Sequence, residues 1–166
     1  MTETADRSYK VTLILSIIIT VSALIYLAAE LRENTRALQA STSQEIIEAF
    51  HAQYQAVAQN DDLADILLRA ARNPDEVMVH EKFRFYAHLF SMFRAYEIAY
   101  YQHEEGALDA KRWSGFNLQM VELISINGIR GFWDMRKHWF SEDFRYYIDT
   151  VLIPAAEKTD YKLPGS

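Results

Sequence analysis

Residues Val11–Ala29 read VTLILSIIITVSALIYLAA, 19 residues without a single charge. At about 1.5 Å of rise per helical residue the stretch reaches roughly 28 Å, close to the ~30 Å hydrocarbon thickness of a bilayer. The reading is one transmembrane helix. As a cleaved leader the stretch fits poorly, because it outruns the usual apolar region of about 7–15 residues. Its exit LIYLAAEL also lacks an A-x-A site, since Tyr26 and Leu27 occupy the −3 positions. Arg7 and Lys10 flank one end and Arg32 and Arg36 the other, so the positive-inside count nearly balances. A slight lean puts the N-terminus in the cytoplasm and the rest of the chain outside.

Around this helix Thr12, Ser16 and Thr20 recur every four residues and Ala23 follows three later, forming one small, weakly polar face. Two readings stand. The face lets a neighbouring helix approach closely, or each hydroxyl bonds back to its own backbone. The partners expected are therefore the lipid bilayer and a membrane protein or second copy met through this face.

Working outward, the short head at 1–10 is balanced in charge, so the net charge of −6 lies behind the apolar stretch. An acidic domain argues against nucleic acid as a partner. Without cysteine the chain makes no disulfide and has no thiol chemistry. Half of the residues are apolar and only 5 are Gly and 3 Pro, a composition that favours packed helices over disorder.

Helix formers continue without a break from Glu30 to Gln59, and Ile46, Ile47, Phe50, Tyr54 and Val57 fall on one stripe. The anchor and the first domain helix are expected to be one rod. Asn60, Asp61 and Asp62 are cap candidates for a second helix, which stops at Asn73-Pro74. The third, Val79 to Glu104 before Gly106, carries a row of Phe83, Tyr86, Phe90 and Phe93 beside another of Phe85, Leu89, Met92 and Tyr96. Only a strip with Arg84, His88 and Ser91 stays polar, so this helix should be central. Asp109 caps a fourth helix, expected to end at Asn127-Gly128 through a left-handed glycine. A fifth helix runs from Ile129 to Phe140, and Ser141 caps a sixth that Pro154 closes. No strand pattern or repeat occurs. The fold class is all-α: one transmembrane helix continuing into an irregular bundle of about five further helices, with the domain at 30–154 and a polar tail at 155–166.

Chemistry is thinly signalled, and the chain reads as non-enzymatic with no cofactor. Glu48-x-x-His51 has the spacing by which one helix offers a carboxylate and an imidazole to a di-iron site. Such a site needs the pair twice and here it occurs once; Glu97 and Glu122 could supply only carboxylates. Glu48, His51 and Glu97 are thus metal candidates that read more simply as structural. Glu97 shares the row of Phe93 and Tyr100, so it points inward, and Arg94 three residues earlier, Arg130 or Arg136 could pair with it. Trp113, Trp133 and Trp139 could line an aromatic ligand pocket, though aromatic residues at helical spacing usually build a core. Gly128-x-x-Gly131 reads as a helix junction. The leading function is a membrane-tethered interaction or accessory subunit; the alternative is a small-ligand sensing domain, and a metal-dependent oxidoreductase comes third.

ELRENTRALQAS at Glu30–Ser41, FRFYAHLFSMFRAYEIAYYQHEEGAL at Phe83–Leu108, RWSG at Arg112–Gly115 and GIRGFWDMRKHWFSEDFRYYID at Gly128–Asp149 together carry a resemblance. In their order, from about Leu27 to Asp149, the chain resembles a family of single-span bacterial membrane proteins frequent in marine proteobacteria. It departs from that pattern at Asn127, where a proline commonly stands, and at Val79-His80, where a Ser-Pro cap often opens the central helix. The resemblance implies the architecture of one anchor and a helical domain, and no activity, cofactor or catalytic residue.

Overall fold

A computed structural model describes residues 2–161 and Leu163, with side chains at Arg7 and from Lys10 onward. All the regular structure among the described residues is helical. The chain divides into two units, Met1–Ala40 and Ser41–Ser166, and each has its own logic.

Helix α1 (Thr2–Ala58) is unbroken, as a run of helix formers without Pro or Gly dictates. In the first unit its apolar side chains from Val11 to Leu31 are all exposed. The helix is long and apolar enough to cross a membrane, with a mean hydropathy of 2.5 over 18 residues, none of them buried. On the small face, Ser16 Oγ donates to Leu13 O at 2.8 Å and Thr20 Oγ1 to Ser16 O at 2.8 Å. Both hydroxyls are therefore satisfied within their own helix.

In the second unit, α2 (Asp61–Arg72) opens on Asn60, whose side chain accepts from Leu63 N at 2.9 Å. Helix α3 (Val79–Glu104) is central, burying Phe85, Leu89, Met92, Phe93, Tyr96 and Ala99 against α2, α4 and α5. Each Phe, Leu or Met among them contributes about 1.5–3 kcal/mol on leaving water. Phe83 does not share that burial: it is 73% exposed, because Met78, Val79 and Phe83 all project at the start of α3 where no neighbour covers them. The row through Phe85 is the deeper one. Gly106, at φ 75, ends α3 and lets Leu108 N reach back to Gln102 O at 2.8 Å.

Helix α4 (Ala110–Ile124) opens on Asp109, which accepts from Lys111 N and Arg112 N at 3.1 Å. The expected left-handed stop at Asn127-Gly128 is not how it ends. The chain turns through Ser125 and Ile126, and Asn127 and Gly128 already belong to α5 (Asn127–Arg136). Gly128 serves a close crossing instead: a Cβ there would lie 2.7 Å from Ala71 O of α2 and closer still to Ala70 O. Gly131 faces open space.

A 3-10 turn at Lys137–Trp139 leads to α6 (Glu142–Tyr147). Ser141 sits at the N-cap, but its hydroxyl does not cap: it donates to Glu97 Oε1 at 2.7 Å. Pro154 does not close this element either. A π turn at Ile148–Leu152, in which Ile153 N–H reaches Ile148 O five residues back, places Pro154 in the first turn of α7 (Ile153–Ala156). There a missing N–H costs little.

Candidate functional site

Helices α1 to α5, with Leu163 of the tail, line a half-open apolar cavity of about 330 Å³. Phe50 and Val57 of α1, Leu67 of α2, Leu89 and Met92 of α3 and Leu123 of α4 line it, each from the inward row of its helix. Phe50 stacks on Phe116 with ring centroids 5.0 Å apart, which holds α1 against α4 at one end. On the α2 side Ala64 and Ala71 leave space that longer side chains would fill. Among the described residues no Asp, Glu, Lys or Arg belongs to the lining.

Polar atoms reach this cavity at a few points. Gln119 Nε2 donates to the Tyr54 hydroxyl. Tyr96 turns its hydroxyl away and donates to Asn117 Oδ1 at 2.7 Å, an oxygen that also accepts from Tyr147 OH at 2.6 Å. Burial raises both phenols above the ordinary tyrosine value, so the network stays neutral. His88 differs. Its imidazole has no hydrogen-bond partner among the described residues, and burial pushes its pKa below the ordinary histidine value.

A second, shallower groove of about 540 Å³ runs between α1 and α3. Ile46, Ala49 and Ala52 line one side and Phe90, Ala95 and Ile98 the other, with Glu45 and Arg94 also present. Ile98 is exposed and the three alanines keep the floor low.

The acidic residues singled out from sequence go to structural duties. Glu97 is 5% exposed, contacts Arg94, and accepts from Ser141 N at 2.8 Å as well as from its hydroxyl. One carboxylate thereby holds the first turn of α6 against α3. Arg94 also donates to Trp139 O at 3.2 Å and lies over the Phe90 and Phe140 rings. Glu48 and His51 are both exposed on α1, and Glu48 accepts from Gln44 Nε2 at 2.9 Å. Among the described residues no three His, Asp or Glu side chains gather as a metal ion would require, so Glu48, His51 and Glu97 are not brought together.

None of Trp113, Trp133 and Trp139 lines either of these two cavities. Trp133 is fully buried, packs on Phe93 at 5.2 Å and donates to Asp149 Oδ1 at 2.8 Å. Trp113 stacks between Tyr96 and His103, while Trp139 is exposed with Arg136 over its ring. Bulky rings at helical spacing interdigitate and close the space between them.

Two features escaped the sequence reading. Arg69 of α2 binds Glu81 of α3 at 2.8 Å, and Glu81 also accepts from Met78 N at 2.8 Å. Together these hold the Glu81 carboxyl at about 2. The second is the role of His88, which the sequence placed on a polar strip with Arg84 and Ser91 and which instead stands in the cavity wall, three residues after Phe85 and four before Met92. Comparison with family models, with curated proteins and with solved structures finds no match for this chain.

Proposed function

We propose that this protein is a single-pass anchor of a bacterial inner membrane whose helical domain, on the periplasmic side, serves as a non-enzymatic interaction subunit. The observation that carries the reading is the Val11–Ala29 part of α1, uncharged, predominantly apolar and wholly exposed. In water such a surface would drive association; in a bilayer it is solvated by lipid. The titratable side chains of the domain support a binding role over chemistry. Arg69–Glu81 ties α2 to α3 and Lys137–Asp149 ties the 3-10 turn to the π turn, while Arg94 and Glu97 pair within α3.

The partner is another membrane protein or a second copy. The Thr12, Ser16, Thr20, Ala23 face offers close approach, and since Ser16 and Thr20 are bonded internally, the contact there is one of shape. The groove between α1 and α3, floored by Ala49, Ala52 and Ala95, would receive a helix of that partner. Photo-cross-linking from position 98 in native membranes, followed by mild extraction and pull-down, tests this. One stoichiometric adduct, with another membrane protein or with itself, is expected; an uncross-linked monomer would refute the reading.

A further inference from the structure

We propose that the cavity between α1 and α5 is a binding site for a small neutral amphiphile, with its hydroxyl or carbonyl oxygen bonded to His88 and its apolar body among Phe50, Leu67 and Met92. Protein interiors are normally packed to the density of organic crystals, with few voids larger than a water. An apolar cavity of ~150 Å³ already takes up benzene. At about 330 Å³ this one is roughly twice as large, room for about 13 non-hydrogen atoms on the same scale. Water gains little there, because a water needs two to four polar partners and most of the wall offers none.

The lining also states what the ligand is not. With no charged side chain among its described lining residues, an ionised headgroup would enter uncompensated there, which is strongly unfavourable. The polar atom must therefore be neutral. A neutral imidazole both donates and accepts, so His88 matches a hydroxyl or a carbonyl, and nothing else among the described residues engages it. Tyr54, Gln119 and Tyr96 are bonded to other groups, which leaves His88 and the Gln53 amide as the polar groups of the described lining. A fatty alcohol of about ten to twelve carbons and a hydroxylated bicyclic ring both satisfy this chemistry. They differ in source, the first reaching the site from lipid and the second from water.

A ten-carbon alcohol carrying a diazirine is the probe, applied to the full chain in phosphatidylcholine nanodiscs with sequencing of labelled peptides. Labelling is expected on Phe85–Met92 and on α4, displaced by 1-decanol and not by decanoate. Displacement by 2-naphthol in preference to 1-decanol would assign the same site to a ring-bodied ligand. His88→Leu should weaken 1-decanol competition by roughly 3- to 10-fold, the worth of one hydrogen bond. Met92→Trp, which fills the space, should abolish labelling while the protein melts no lower; if that variant does not fold, Ala64→Leu serves. Labels confined to Val11–Ala29, labelling that decanol cannot displace, equal displacement by decanoate, or His88→Leu without effect would each overturn the proposal.

Discussion

Replacing Gly128 by alanine probes the α2–α5 crossing on which the second unit closes. An added Cβ would stand 2.7 Å from Ala71 O and 2.9 Å from Ala71 C, and nearer still to Ala70 O. These are backbone atoms inside α2, so no side chain can rotate away and one helix must move. Overpacking of this kind costs about 1–3 kcal/mol, and a rigid neighbour puts the cost in the upper half. Alanine offsets part of it, about 0.5–1 kcal/mol, through better helix propensity and a less flexible unfolded chain. The net expectation is a loss of about 1–2 kcal/mol. Gly131 supplies the control three residues along the same helix, where a Cβ meets nothing within 4 Å. Gly131→Ala should therefore stabilise by about 0.5–1 kcal/mol. Urea unfolding of the full chain in mild detergent, followed by the fluorescence of buried Trp133, reads both variants. Opposite signs are predicted. Equal stabilisation by the two alanines would show that α5 does not approach α2 as described.

Other consequences follow from the ion pairs and the membrane helix. Glu97→Gln keeps the volume but loses the charge on the bonds to Ser141 and the contact with Arg94, so melting should fall by about 5 °C, from roughly 1–2 kcal/mol; an unchanged melting temperature would contradict the buried role. Because Glu81 titrates at about 2 when folded against an ordinary 4.5, its pairing is fully present above about pH 4.5 and is lost as pH falls toward 2. Glu81→Gln should flatten the acid limb of the stability curve in that window, and an unaltered limb would count against the Arg69 pairing. Ser16→Leu combined with Thr20→Leu should lower the yield of assembled complex several-fold on native gels while leaving membrane insertion intact. Equal assembly would move the contact to the domain.

Where a boundary depends on local chemistry, it was legible. Asn60 before α2, Asp109 before α4 and Gly106 after α3 each act on backbone groups within six residues of themselves. Where an outcome depends on what lies across the fold, the sequence was silent or misleading. Gly128 looks like a helix stop, and only the nearness of Ala70 and Ala71 shows why a glycine stands there. Ser141 reads as a cap until Glu97, 44 residues away, claims its hydroxyl. Phe83 and Phe85 differ by two positions on one helix, and their burial is decided by where α2 and α5 run. Pro154 ends a regular helix but not one widened by a π turn ahead of it. A cavity is the extreme case, since no residue encodes it: Ala64 and Ala71 are small for many reasons, and their shared void exists only once five helices meet.

The account rests on Val11–Ala29 crossing a bilayer with the domain on its far side. The absence of cysteine makes the decisive measurement clean, because Ser8→Cys and Thr159→Cys each introduce a single thiol. Bacterial cells with a permeabilised outer membrane are treated with a membrane-impermeant maleimide before and after lysis, and the membranes are washed with carbonate. The account predicts that the protein stays in the washed membranes, that position 159 is labelled in unlysed cells, and that position 8 is labelled only after lysis. Release into the carbonate wash, or labelling of both positions before lysis, would contradict it.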